Sequence, residues 1–238
     1  MRKYEKVYHD LEDKITQNKY PRGSYLPSEK ELCQSYTASR ATVRQALDIL
    51  CERGFIQKQK GRGSLVISSS KLEFPISGLT SYKELQDKLN FQSSTSIFCF
   101  EKITVDANLS ELTKFPQGSF SWHILRGRKI DGKYVVLDED YLKYDLAPNL
   151  TKEIAEDSLY EYLENKLNLE ISYAQKEITI DLLHDLDKKY LNLSSFDHHV
   201  VSVKSHVYLA DAMPFQYTES RHQVDRFRFT EFARRQKI

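Results

Sequence analysis

The first quarter of the chain carries two helix-start signals so close together that only one short helix and a tight turn fit between them. Ser28 can cap the free backbone N–H groups of a helix, and Glu31, three residues later, completes a capping box. After a turn at Thr37, Ser39 can cap a second, longer helix that ends at Gly54. This spacing predicts a helix-turn-helix.

The segments on either side extend this motif. Apolar residues at helical spacing predict a helix over residues 3–18. Downstream, short strands at residues 55–56 and 64–67 flank the polar tip Lys60-Gly61-Arg62-Gly63, which predicts a β-hairpin. Three helices followed by a hairpin are the elements of a winged helix-turn-helix, in which the hairpin forms the wing.

The charge is distributed unevenly along the chain. Residues 1–71 contain 14 Lys/Arg and 8 Asp/Glu, a net charge of +6, although the whole chain has a net charge of only +1. A basic first third joined to an acidic remainder suggests a polyanion-binding module attached to another domain. The alternative is that these basic residues only form solvated faces.

The start of the second helix has the residues that a major-groove reader needs. Small hydroxyl residues at a helix N-terminus can approach phosphates, and an arginine can reach guanine O6 and N7. Alternatively, the three helices and hairpin are a packing module, with Arg40 and Arg44 as surface charges. We predict DNA contacts from Lys30, Ser39, Arg40, Thr42, Arg44, Lys60, Gly61 and Arg62.

A change in composition follows at Ser68-Ser69-Ser70. We predict a DNA-binding domain over residues 1–68, a linker over 69–77 and a second domain over 78–238. Asp131-Gly132 is a strong hairpin turn, and helices are predicted over residues 82–89, 158–167 and 185–193. Strand-like runs outnumber them and favour an α+β domain with an antiparallel sheet; they cover residues 96–105, 121–130, 134–142, 171–182, 199–210 and 215–222.

Arg126 and Arg128 alternate on one predicted strand, so both guanidinium groups lie on one face. Two guanidinium groups directed into one cavity suit a phosphate, because each offers paired N–H donors. Ser81 precedes the helix predicted over residues 82–89, where hydroxyl and backbone N–H groups favour anions. The alternative is a solvent-exposed face on which both arginines form salt bridges.

Other functional classes find little support in the sequence. The three cysteines are an odd number without zinc-ligand spacing, and we expect them to be reduced in a cytoplasmic protein. No apolar run approaches the roughly 18 residues of a membrane span. The histidines are scattered, and no nucleophile, metal cluster or phosphate-binding glycine loop stands out. We therefore predict no enzyme activity, no cofactor and no metal site.

The first domain resembles the DNA-binding domain of the gluconate-repressor (GntR) family over about residues 4–67. The resemblance rests on Gly23–Leu32, Ser39–Leu47, Gly54–Ile56 and Gly61–Gly63. It implies operator DNA as partner, with Lys30 standing where arginine is frequent. Because one such module reads only a few base pairs, we expect a homodimer on an inverted repeat.

The remainder resembles the effector-binding (UTRA-type) domain of the HutC branch, which is related in fold to chorismate lyase. Matching segments include Gly78–Tyr82, Leu125–Gly132, Ser158–Leu163 and Phe215–His222. Together with the strand argument above, the resemblance implies an effector site built from Ser81, Tyr82, Arg126, Arg128, Asp138, Tyr173, Gln216, Glu219 and His222.

Within this branch the chain resembles the repressors of trehalose operons, which implies a repressor induced by trehalose 6-phosphate. Gln216 and His222 stand where glutamate and tyrosine are common in amino-sugar regulators, which argues against an amino-sugar phosphate. The alternatives are a regulator of the same fold that answers another sugar phosphate or small metabolite, and a lyase-like enzyme. We expect phosphate capture to order residues 78–82 beside the linker and so redirect the DNA-binding domains.

Overall fold

A computed structural model describes residues 2–67, 79, 82–89 and 92–229 of the chain. The described residues form two compact units: residues 2–67 belong to the first and residues 79–228 to the second. The predicted linker at residues 69–77 lies outside the described residues, and the predicted domain limits stay a prediction.

The first unit is a three-helix domain with a hairpin. Its elements are α1 (Lys3–Thr16), α2 (Glu29–Ser35), α3 (Arg40–Glu52), β1 (Ile56–Gln59) and β2 (Gly63–Val66). The two strands pair antiparallel with Gln59 opposite Gly63, so residues 60–62 form the tip. The core contains Leu11, Leu32 and Leu47, one from each helix, and all three are almost completely buried.

Local capping explains where α2 and α3 begin. The Ser28 side chain accepts a hydrogen bond from the Glu31 backbone N–H at 3.3 Å, and the Glu31 carboxylate accepts one from the Ser28 backbone N–H at 2.7 Å. This is the predicted capping box. Between the helices, Thr37 has a left-handed φ of 46°, which reverses the chain within a few residues.

The second unit is a six-stranded antiparallel sheet with short helices on its faces. The helices are α4 (Tyr82–Leu89), α5 (Ala107–Thr113), α6 (Lys152–Asp157), α7 (Leu159–Asn165) and α8 (Asp185–Tyr190). The strands are β3 (Ser93–Thr104), β4 (Phe120–Ile130), β5 (Lys133–Lys143), β6 (Ile171–Leu182), β7 (His199–Leu209) and β8 (Pro214–Gln223). They lie in the order β3-β4-β5-β8-β7-β6.

The sheet has two differently covered faces. On the face that we call the α6/α7 face, Leu159 and Leu163 of α7 pack in one apolar cluster with Leu142 and Phe215 of the sheet. On the opposite α8 face, Leu186 of α8 packs in a second cluster that includes Leu137 and Val200. Because successive strand residues point to opposite faces, strand register decides which side chains meet each helix layer.

Four register shifts interrupt the regular strand pairing of the described residues, and two of them lie among β3, β4 and β5. At the Asp131-Gly132 turn, Lys129 lies opposite Tyr134, but Arg128 lies opposite Val136, so Val135 is the extra residue of β5. A second irregularity between Ile97 and Cys99 shifts β3 against β4. Each bulge reverses the faces to which the following residues point.

The predicted α+β fold with an antiparallel sheet is confirmed, and each of the six predicted strand runs corresponds to one strand. The helix predicted over residues 82–89 is present as α4, whereas α8 ends three residues before the predicted end. Sequence analysis missed α5 and α6, which have only seven and six residues. Such short helices cannot display the apolar periodicity that needs a window of about 11–18 residues, and α7 and α8, which are equally short, were predicted from their N-terminal start signals instead.

Candidate DNA interface and effector site

The N-terminus of α3 is held by two hydroxyl side chains that we predicted to contact DNA. Ser39 Oγ accepts a hydrogen bond from the Thr42 backbone N–H at 3.2 Å and lies 2.9 Å from Thr42 Oγ1. Arg40, the first residue of α3, is exposed. A capped helix end with an exposed arginine is suited to lie against a phosphate backbone, because the helix dipole and the guanidinium both favour negative charge.

Arg44 has a protein partner in the absence of DNA. Its Nε donates a hydrogen bond to Glu29 Oε2 at 2.8 Å, and the two side chains are 61% and 38% exposed. Exposed ion pairs of this kind contribute at most about 1 kcal/mol to the free energy of unfolding. The pair therefore holds Arg44 on the surface between α2 and α3, and little free energy is needed to break it when Arg44 contacts a base or a phosphate.

The other predicted DNA-contacting residues lie on the wing and on α2. Lys60, Gly61 and Arg62 at the tip of the wing are all exposed, as is Lys30 on α2. Gly61 has a φ of +78°, a left-handed conformation that favours glycine. The Tyr25 hydroxyl ties the chain before α2 to Gln59 in β1 at 2.7 Å. These contacts stabilise a hairpin that extends its cationic tip into solvent.

Arg126 of β4 forms a buried ion pair on the α6/α7 face. Its Nε and Nη2 donate to Asp140 Oδ2 at 3.1 Å and 2.7 Å, and its Nη1 donates to the Ala155 carbonyl oxygen of α6 at 3.2 Å. Gln216 Nε2 donates to the other oxygen of Asp140 at 2.8 Å. The guanidinium is thus held in one orientation by side chains of β5 and the backbone of α6.

Arg128 forms a second ion pair beside the first. Its Nε donates to Asp138 Oδ2 at 2.7 Å and its Nη1 donates to Thr95 Oγ1 at 2.6 Å. Ser220 donates to the remaining oxygen of Asp138 at 2.6 Å. The guanidinium carbon also lies 4.3 Å from the centre of the Tyr82 ring, which connects the first residue of α4 to this network.

The two ion pairs, Arg126 with Asp140 and Arg128 with Asp138, contain two positive and two negative charges. Burial opposes ionisation of Asp138, but the positive charges of Arg128 and Arg126 hold its pKa below its ordinary value. Burial and the nearby charge of Arg126 lower the pKa of Arg128. The site therefore offers both acceptors and donors for hydrogen bonds in a shielded region, which is suited to a polar ligand with many hydroxyl groups.

Two further side chains of β8 complete this polar region. Gln216 Oε1 is buried and has no hydrogen-bond partner among the described residues. Burial lowers the pKa of His222 to about 4, so its imidazole is neutral near neutral pH. Buried polar atoms are normally paired, so the Gln216 oxygen marks a position where a ligand donor would fit.

Three of the predicted effector residues are not placed in this network. Tyr173 stacks on Tyr208, with ring centres 4.7 Å apart, and Glu219 accepts a hydrogen bond from Arg221 at 2.7 Å. Both contacts are on the α8 face, because the side chains of Tyr173 and Glu219 point to the opposite face of the sheet from those of Gln216 and Ser220. The predicted grouping of Tyr173 and Glu219 with Arg126 is therefore corrected. Ser81 lies outside the described residues.

The structure also adds residues that sequence analysis missed. Asp140, Thr95 and Ser220 join the network through the contacts described above. The available signal was the acid-x-acid spacing of Asp138 and Asp140, which mirrors the spacing of Arg126 and Arg128 across the hairpin. Both arginines are ion-paired, as the alternative interpretation held, but they are buried and not solvent-exposed.

Within the described part of the chain, no helix is both long and apolar enough to cross a membrane.

Comparison with known families and proteins identifies both units. Residues 3–66 match the family described as "Bacterial regulatory proteins, gntR family", and residues 88–228 match the UTRA domain. The HTH-type transcriptional regulator TreR of Bacillus subtilis is 44% identical over 99% of this chain and 98% of its own length. The mannosyl-D-glycerate transport/metabolism system repressor MngR of Escherichia coli is 27% identical over 98% and 96%.

Solved structures agree with these matches. The B. subtilis protein YydK, described as a possible transcriptional regulator, has a TM-score of 0.82 at 21% identity and covers 98% of this chain and 100% of its own. The effector-binding domain of the B. subtilis trehalose repressor has a TM-score of 0.56 at 44% identity, covering 60% of this chain and 99% of its own. These families and relatives are transcriptional regulators and not enzymes, as predicted. The chain belongs to the gntR family of bacterial regulatory proteins and carries a UTRA domain.

Proposed function

We propose that the protein is a cytoplasmic repressor of a trehalose uptake or utilisation operon, which binds an inverted-repeat operator as a homodimer and is induced by trehalose 6-phosphate. The observation that carries this proposal is the 44% identity to B. subtilis TreR over nearly the whole of both chains. The solved effector-binding domain of that relative is described as part of a trehalose repressor.

The α6/α7 face supports a sugar as the ligand. Asp138 and Asp140 supply carboxylate acceptors, and the buried Gln216 Oε1 is a further acceptor for a hydroxyl donor. A site built to bond hydroxyl groups rejects analogues that lack them, since its buried polar atoms would then stay unpaired. A disaccharide phosphate has many hydroxyl groups for such acceptors.

The two arginines support a phosphate on that sugar. A guanidinium has five N–H donors, and the contacts described above use three of those of Arg126 and two of those of Arg128. Both therefore have more donors than their carboxylate partners take up. Because the two ion pairs are already neutral, phosphate binding depends on these remaining donors and on nearby backbone N–H groups.

The contact between Arg128 and Tyr82 offers a route to regulation. Tyr82 is the first residue of α4 and the last of residues 78–82, which we predicted to become ordered when the phosphate binds. A phosphate that draws the Arg128 guanidinium toward itself changes its position against the Tyr82 ring. The ligand alters DNA binding only if its affinity differs between the DNA-competent and DNA-incompetent arrangements, and a tenfold difference needs about 1.4 kcal/mol.

A DNA-shift assay with an inverted-repeat operator tests the proposal. We expect a retarded complex that trehalose 6-phosphate releases, and no release by trehalose or by glucosamine 6-phosphate at the same concentration. Measuring binding of the same compounds by calorimetry separates ligand capture from the effect on DNA. Stronger release by glucosamine 6-phosphate, or tight trehalose 6-phosphate binding with unchanged operator affinity, would contradict the proposed effector.

A further inference from the structure

The α8 face brings together three potential metal ligands that belong to no sequence motif. Cys99 and Glu101 lie on β3 and His123 lies on β4, and their ligand atoms are all within 4.8 Å of one another. The bulge between Ile97 and Cys99 is the reason. Without it, Cys99 would share the α6/α7 face with Ile97, because residues two apart on a regular strand point the same way.

The distances fit a tetrahedral metal ion. Cys99 Sγ lies 3.8 Å from His123 Nδ1, and Glu101 Oε1 lies 3.1 Å from the same nitrogen. Zinc bonds of about 2.3 Å to sulfur and about 2.0 Å to nitrogen and oxygen at tetrahedral angles separate these atoms by roughly 3.5 Å and 3.3 Å. Shifts of a few tenths of an ångström would therefore bring the Cys99–His123 and Glu101–His123 pairs to these separations, and Cys99 Sγ and the Glu101 carboxylate lie within 4.8 Å of each other.

Glu139 on β5 independently orients the histidine for this role. His123 Nε2 lies 2.8 Å from Glu139 Oε1, which also accepts a hydrogen bond from the Tyr141 hydroxyl at 3.0 Å. When Nε2 donates its proton to Glu139, the lone pair of Nδ1 points toward Cys99 and Glu101. A carboxylate behind a histidine is the usual outer partner of metal-binding imidazole groups.

Solvent can reach the three ligands. The Glu101 side chain is 55% exposed and that of His123 is 18% exposed, so an ion can enter without opening the sheet. One thiolate, one imidazole and one carboxylate are a mixed set that suits a borderline-soft divalent cation and not calcium or magnesium, which prefer oxygen ligands.

We propose that Cys99, Glu101 and His123 form a binding site for a divalent transition-metal ion of the Zn²⁺ type, with a solvent molecule as the fourth ligand and Glu139 as the outer partner of His123. The sequence predicted no metal site, because its potential ligands do not all lie close together along the chain. Here the ligands come from two neighbouring strands, and only their register brings them together.

Titration of the full-length, reduced protein with Co²⁺ and Zn²⁺ tests this site. We expect one ion per chain, a thiolate-to-cobalt charge-transfer band, and proton release as the thiol binds the metal. Cys99→Ser should abolish the band and weaken Zn²⁺ binding by at least about 100-fold, while Glu139→Gln should keep the band and weaken binding by about 10–100-fold. Circular dichroism of each variant verifies that it is folded.

Cys33→Ser and His198→Ala are the matched controls, because they remove a thiol and an imidazole from elsewhere in the chain. Both should bind the metal as the parent protein does. A charge-transfer band that persists in Cys99→Ser, or the absence of any band in the parent protein, would overturn the proposal.

Discussion

Arg126 donates two hydrogen bonds to a single carboxylate oxygen of Asp140, at 3.1 Å from Nε and 2.7 Å from Nη2. The side chains are only 8% and 1% exposed, so the charges are held away from water. Burying two charges is costly even when they are paired, and replacing a buried pair by apolar side chains often increases stability. The presence of the pair is therefore weak evidence that it stabilises the fold.

Removing one partner of this pair should be strongly destabilising. Asp140→Ala leaves the Arg126 guanidinium buried without its counter-charge, and we expect the free energy of unfolding to fall by about 3–5 kcal/mol. Urea denaturation measures it. The control is Asp185→Ala, which removes an exposed ion pair with Lys188 and should change stability by less than about 0.5 kcal/mol. If the two substitutions lowered the free energy of unfolding equally, the loss in Asp140→Ala would not come from a buried, unpaired Arg126.

Arg40 should contribute to operator recognition without contributing to folding. Arg40→Ala removes an exposed guanidinium at the start of α3, and we expect operator affinity to fall by about 1–3 kcal/mol if it contacts a base. DNA-shift titration measures this loss, and thermal unfolding should be unchanged. Arg22→Ala, which removes an exposed arginine before α2, is a control for the loss of one positive charge. Parent-like operator affinity in Arg40→Ala would exclude this residue as a contact.

The Arg44–Glu29 ion pair makes a separate prediction about operator binding. Arg44→Ala should weaken binding, whereas Glu29→Gln should preserve or strengthen it, because the guanidinium no longer has to leave a carboxylate and one negative charge is removed near the DNA. Titrations at several salt concentrations measure both effects. Weaker binding in Glu29→Gln would show that the ion pair positions Arg44 and does not compete with DNA.

The low pKa of His222 predicts a specific dependence of stability on pH. Burial lowers the pKa from 6.5 to about 4 against the opposing charge of Asp138, so between these values the unfolded chain binds a proton that the folded chain does not. The free energy of unfolding should therefore fall as the pH decreases from about 6.5 toward 4, by up to about 1.4 kcal/mol per pH unit.

Urea denaturation at several pH values in this window measures the slope. His222→Gln should reduce it, since glutamine does not titrate, while the control His198→Ala should leave it unchanged. A slope that is the same in His222→Gln as in the parent protein would assign the pH dependence to other groups.

Gly127, which lies between Arg126 and Arg128 on β4, should tolerate no side chain. A Cβ atom there would lie 2.6 Å from Phe98 Cε2 and 2.8 Å from Tyr134 Cδ1, well inside normal contact distance. We expect Gly127→Ala to destabilise the second unit by about 1–3 kcal/mol through overpacking, measured by thermal unfolding. Adding Phe98→Leu should recover part of this loss of stability, because the smaller side chain leaves space for the new Cβ atom. If no stability is recovered, the loss does not come from contact with Phe98.

The features that the sequence predicted well are those that depend on near neighbours. The capping box of Ser28 and Glu31, the cap at Ser39 and the turn at Asp131-Gly132 all form between residues at most three positions apart. Their geometry therefore does not depend on the rest of the fold. The six strands were equally predictable, because runs of about ten residues show their alternation clearly.

The composition of the effector site depended on contacts that no local pattern specifies. A two-residue turn at Asp131-Gly132 by itself would place Arg126 opposite Leu137 and leave Asp138 and Asp140 on the other face of the sheet. The extra residue Val135 shifts the register, so Arg126 lies opposite Asp138 and both carboxylates join the arginines.

The sequence by itself thus determined the winged helix-turn-helix, the strands and the residue types of the candidate effector site. Only the tertiary structure decided which of those residues meet. The physical reason is the two-residue period of a β-strand, in which a single inserted residue moves every later side chain to the opposite face. The same two-residue period places Tyr173 and Glu219 on the α8 face, opposite to the face on which Gln216 lies.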